Sequence, residues 1–102
     1  MESNKIKVVL GLCEGRHDMP SCVEGYVFPE CLEVDFTADG LCNLNSMAYR
    51  RMKKYEGCKV DLYVTGLSAA LAAVIIACRD FRIPLTLFHY NRDTGEYAPQ
   101  EM

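Results

Sequence analysis

Val60-Asp-Leu-Tyr-Val64 is followed, after Thr65-Gly-Leu67, by the run Ser68 to Phe81, and then by Ile83-Pro-Leu-Thr-Leu-Phe-His-Tyr90. The outer runs are short, apolar and rich in β-branched and aromatic residues, as buried strands are. The middle run is longer, alanine-rich and apolar nearly all the way round, as a covered helix is. Strand, helix and strand with so little chain between them leave few arrangements: the strands lie parallel and the crossover is right-handed. Pro84 is tolerable because it stands at a strand start.

The remaining chain extends that unit. Ile6-Lys-Val-Val-Leu-Gly-Leu12 predicts a first strand, stopped by the polar, breaker-dense Cys13-Glu-Gly-Arg-His-Asp-Met-Pro20. Val23 to Phe28 predicts a short extended piece, and Pro29 to Gly40, which has no clean period, reads as loop. Leu44, Met47, Ala48, Met52 and Tyr55 recur at helical spacing, with Asn43 or Asn45 as the cap and Gly57 at the end. Arg50, Arg51, Lys53 and Lys54 lie on its other face, as a solvated face or as an attraction for an anionic partner. Asn91-Arg-Asp-Thr-Gly95 turns Glu96 to Pro99 back as an antiparallel edge. The expectation is one α/β domain over residues 1–102, small and Rossmann-like, with a mainly parallel sheet of three to five strands, flanking helices and a C-terminal β-hairpin.

Composition narrows the partners. Eleven Lys+Arg against 14 Asp+Glu give a net charge of −3 with no long basic segment, so duplex nucleic acid is not an expected partner. No run approaches the roughly twenty apolar residues needed to span a bilayer, and the first apolar run is too short for a signal peptide. A cytoplasmic protein without a membrane partner is expected. Its six cysteines include no Cys-x-x-Cys and read mostly as small apolar fillers or free thiols. The apolar helix from Ser68 to Phe81 needs more cover than one sheet face supplies, which predicts a homodimer or higher homo-oligomer.

In parallel sheets ligands bind beyond the carboxyl ends of the strands. That rule gathers Glu14, Gly15, Arg16 and His17 after the first strand, Thr65, Gly66 and Ser68 after the second, and His89, Tyr90, Asn91 and Arg92 after the third. Arginine and helix-start amides suit phosphate oxygens, Tyr90 suits a base or ribose, and Glu14 or Asn91 suits directional hydrogen bonds. A nucleotide-like anion fits the set. Thr65-Gly-Leu-Ser68 is neither a dinucleotide fingerprint nor a P-loop, and its alternative reading is that Ser68 caps the helix while Gly66 turns the chain. If the protein is an enzyme, His17 is the acid/base and Arg16 the charge stabiliser; a histidine that only hydrogen-bonds is the alternative. Cys13 with His17 as an activated nucleophile, or Cys13, His17 and Cys22 as zinc ligands, are minor readings. Neither a cofactor nor a metal is expected.

A strand, a polar loop, and a strand running into a Thr-Gly-x-Ser helix start together resemble the CRISPR-associated Rossmann-like sensor domains (CARF) and the small stand-alone ring nucleases related to them. The likeness covers Ile6 to Arg16 and Val60 to Tyr90 in outline. It implies a dimer that binds cyclic oligoadenylate across the subunit interface. Glu14, Gly15, Arg16 and His17 would supply the first-strand loop, and Thr65, Gly66 and Ser68 the phosphate-holding helix start. The absence of an effector domain, the Cys13 to Pro20 loop and the Asp93-Thr-Gly-Glu-Tyr97 hairpin depart from that pattern. Size and solitary domain also resemble small phage anti-defence proteins that sequester or cleave nucleotide signals. The resulting expectation is a sponge for a nucleotide-derived signalling molecule, a cyclic nucleotide or ADP-ribose derivative. Its alternatives are a metal-independent phosphodiesterase or ring nuclease, and a protein-protein interaction module using the Ala69 to Ala77 helix and the Arg50 to Lys54 face.

Overall fold

A computed structural model of the chain describes residues 6–14, 19–28 and 33–102. Five strands and two helices follow one another as β1 (Lys7–Cys13), β2 (Gly25–Phe28), α1 (Ala38–Lys53), β3 (Lys59–Tyr63), α2 (Ser68–Phe81), β4 (Leu85–Asn91) and β5 (Glu96–Glu101). They form one sheet in the order β2-β1-β3-β4-β5. The first four strands in that order run parallel, and β5 returns antiparallel on β4. The protein is thus a small Rossmann-like α/β domain, with the predicted hairpin at its C-terminal end.

Strand order explains where the helices go. The crossovers from β2 to β3 and from β3 to β4 advance in the same direction across the sheet, so right-handedness puts α1 and α2 on one face, where they pack side by side. Tyr49 of α1 meets Phe81 of α2 with ring centroids 4.5 Å apart. The core lies between sheet and helices: Leu10, Leu12, Val27, Val60, Leu62, Leu85 and Leu87 point down from alternate strand positions. Ala48, Met52, Ala70, Val74 and Ala77 meet them from the helices. The Cα envelope of 42 × 35 × 20 Å has the short axis of such a two-layer stack.

The expected start of the first helix needs correction. Helix α1 begins at Ala38, within the stretch expected to be loop, and its cap is Thr37 rather than Asn43 or Asn45: the Thr37 hydroxyl accepts from the Gly40 amide at 3.0 Å. Gly40, which reads as a breaker, is required because a Cβ there would collide with the Asp35 carbonyl. The short extended piece expected over Val23 to Phe28 is borne out as strand β2, paired with β1 through Leu10 and Gly25, Gly11 and Tyr26, and Cys13 and Phe28. Helix α1 packs along one flank of α2, and what α2 leaves exposed is chiefly Ala72, Ile76 and the polar residues at its ends.

Candidate functional site

The chain leaves β1 toward one edge of the sheet, to β2, and leaves β3 toward the other, through α2 to β4. At such a reversal the two following loops part, and a crevice opens at the carboxyl ends of the adjacent strands. Here those strands are β1 and β3, with Gly11 paired to Tyr63, so Cys13 and Glu14 stand level with Thr65 and Gly66. Glu14 is exposed and its amide donates to the Phe28 carbonyl at 3.3 Å. Gly15, Arg16 and His17, the rest of that predicted loop, lie outside the described residues, as does the acid/base role assigned to His17 and Arg16.

The β3 side of the crevice is defined atom by atom. Thr65 is 5% exposed, and its hydroxyl has no hydrogen-bond partner, unlike any other buried side-chain oxygen or nitrogen among the described residues. An unpartnered buried hydroxyl costs about 1–3 kcal/mol. Gly66 is exposed, with open space where a Cβ would stand. Leu67 is the N-cap of α2 and Ser68 its first helical residue; no side chain caps this end, and the first turn carries no acidic residue. The cap reading of Ser68 is therefore not what the structure shows. The first-turn amides of a helix have no intrahelical acceptor, and the aligned peptide dipoles make that end positive. A carboxylate, phosphate or ordered water is the usual complement.

The β4 residues divide between the two faces, because neighbours in a strand point opposite ways. His89 lies on the helix side and is half-buried, its Nε2 2.7 Å from the Gln100 Oε1 of β5. Tyr90 lies on the other side, 51% exposed, with its ring centroid 5.3 Å from that of Tyr97. The sequence places His89 and Tyr90 as one base-and-ribose subsite; their side chains are separated by the sheet. Asn91 is engaged in the hairpin, its Oδ1 accepting from the Asp93 amide at 2.9 Å, and Arg92 is exposed in the turn.

The helix-free face carries an aromatic cluster that sequence reading missed. Tyr63 stacks on Phe88 at 4.8 Å and meets Tyr97 edge-on at 4.8 Å, while the Tyr26 ring lies over Gly11, where a Cβ would come within 2.6 Å of it. Met19 and Cys22, shortly before β2, are fastened on this face: the Cys22 thiol donates to the Tyr63 hydroxyl and the Tyr97 hydroxyl to the Met19 sulfur, at 3.6 and 3.9 Å. The contact with Cys22, followed by burial, pushes the Tyr63 phenol up to about 12. The signal was Phe88 and Tyr90 at alternate positions of one strand, but the partners across the sheet depend on register.

Elsewhere the basic face of α1 is partly engaged. Arg51 donates to the Val27 carbonyl at 3.2 Å, and Lys54 stands 5.2 Å from the Tyr55 ring centroid. Among the described residues no cluster of side chains could hold a metal ion, and no helix is long and apolar enough to cross a membrane. No protein-family model, curated protein or solved structure matches the chain.

Proposed function

We propose that the protein captures a nucleotide-derived signalling molecule, a cyclic nucleotide or an ADP-ribose derivative, at the carboxyl edge of β1 and β3, and sequesters it. The observation that carries this reading is the unpartnered Thr65 hydroxyl immediately before a helix start that no side chain caps. A phosphate would accept from the first-turn amides, and from the Thr65 hydroxyl once that buried side chain turns outward, and the open approach over Gly66 would let its oxygens reach the backbone. Tyr90, one strand across and half-exposed, offers a ring face for a base. Arg16, which follows β1 in the sequence, would add a cationic group. Cys22, Cys42, Cys58 and Cys78 form no disulfide, which accords with action in a reducing cytoplasm.

Calorimetric titration of the purified protein with cyclic mononucleotides, cyclic dinucleotides, cyclic oligoadenylates and ADP-ribose tests the proposal. One class should bind, and the ligand should be recovered intact by mass spectrometry after the protein is denatured. Recovery of linear or hydrolysed product would replace capture by phosphodiesterase turnover. Absence of binding across the panel would overturn the nucleotide reading and favour an interaction module.

A further inference from the structure

On the outer side of the helix layer, α1 and α2 leave a groove of about 340 Å³. Ala73 and Ala77, each 1% exposed, form its floor; Tyr49 and Ile76, 45% and 49% exposed, stand on opposite walls. Asn45, Ser46 and Arg50 on the α1 wall and Asp80 on the α2 wall complete it. Both charged residues are exposed, and within the described residues neither makes an ion pair or a hydrogen bond. The patch therefore has an apolar centre, with one unengaged cation and one unengaged anion on opposite sides.

We infer that this groove is the dimer interface and that its occupant is a second copy of this chain, related by a two-fold axis through the α1–α2 seam. A two-fold interface brings the same patch of both subunits together, so a residue that meets a second residue is met by it in return. Arg50 of one subunit would then face Asp80 of the other, twice, around a centre where the Tyr49 and Ile76 side chains interdigitate over the alanine floor. The patch is its own electrostatic complement: its two charges sum to zero, so copies of a chain of net charge −3 meet there without local repulsion. A purely acidic or basic partner would leave one charge opposed. The inference is independent of the ligand reading, since the groove lies on the helix layer and the crevice at the sheet edge.

Charge reversal tests it with a result that only self-association gives. Sedimentation across a concentration series should show the wild-type protein as a dimer. Arg50→Glu alone places Glu against Asp80 twice, and Asp80→Arg alone places Arg against Arg50 twice, so each variant should dissociate at roughly tenfold or more higher concentration. Mixing the two restores opposite charges at both contacts, and native mass spectrometry should find the mixed dimer. Circular dichroism should match wild type for both, since the two positions are exposed. A monomeric wild-type protein, single variants that dimerise unchanged, or an equimolar mixture that stays monomeric would each overturn the assignment.

Discussion

The thiol of Cys22 donates to the phenol oxygen of Tyr63 at 3.6 Å, and this contact fastens the chain just before β2 onto the sheet face opposite α1 and α2. Aromatic rings and sulfur contacts cover that face, which α1 and α2 do not. Tyr63→Phe keeps the stack on Phe88 and removes only the hydroxyl. Global stability should fall by less than about 1 kcal/mol, because a sulfur hydrogen bond is weak. The Val23 and Glu24 amides, which donate to Pro20 and Val9, should exchange faster; unchanged exchange there would mean the segment is held by other contacts.

Thr65→Val replaces the unpartnered hydroxyl with a methyl of similar shape. In a site built only for stability the change should raise unfolding free energy by about 1–3 kcal/mol, because a buried, unsatisfied polar group is removed. The account predicts that gain together with weakened ligand binding. A loss of stability on denaturant unfolding would show that the hydroxyl is satisfied in the folded protein.

Two glycine-to-alanine changes should have opposite signs. Gly40→Ala improves intrinsic helix propensity by about 1 kcal/mol, yet its Cβ meets the Asp35 carbonyl and side chain, and overpacking costs about 1–3 kcal/mol; the variant should be destabilised. Gly66→Ala meets nothing within 4 Å and should be neutral or gain about 0.4–1 kcal/mol through the unfolded chain. If a ligand approaches the Gly66 backbone, the same silent variant should bind it more weakly, and thermal melts with and without ligand separate the two effects.

Alkaline stability should decline in a window set by Cys78. Burial pushes its thiol from 9.0 up to about 11, so the folded state holds the proton more tightly than the unfolded chain. That contribution is fully present below pH 9 and is lost as pH rises through about 11. It amounts to about 2–3 kcal/mol for a shift of this size. Cys78→Ala should flatten the fall between those pH values, whatever its effect on stability at neutral pH; an unchanged slope would assign the alkaline loss to other groups.

The central strand–helix–strand unit was legible because its elements are apolar, long enough and separated by little chain. The bounds of α2 coincide with the expected Ser68 and Phe81. The first turn of α1 was not legible, because Gly40 reads as a breaker until Asp35 is seen against it. At the site, that Glu14 stands at the same sheet edge as Thr65 and Gly66 follows from the adjacent, parallel β1 and β3. The separation of His89 from Tyr90 follows from strand alternation, which a grouping by loop ignores. The Tyr63–Phe88–Tyr97 cluster depends on pairing register, which no single strand encodes. The burial of the Thr65 hydroxyl without a partner is a property of packing, and no local sequence pattern announces it.

The central claim is that an anionic ligand docks at the start of α2, and amide chemical shifts read it most directly. In a titration with the nucleotide that binds, or with inorganic pyrophosphate as the minimal probe, the largest shifts should fall on Gly66, Leu67, Ser68 and Ala69, with Glu14 following and the α1–α2 groove silent. Shifts concentrated at Tyr49, Arg50, Ile76 and Asp80, or no saturable shift at Gly66 to Ala69 with any phosphate-bearing ligand, would contradict it.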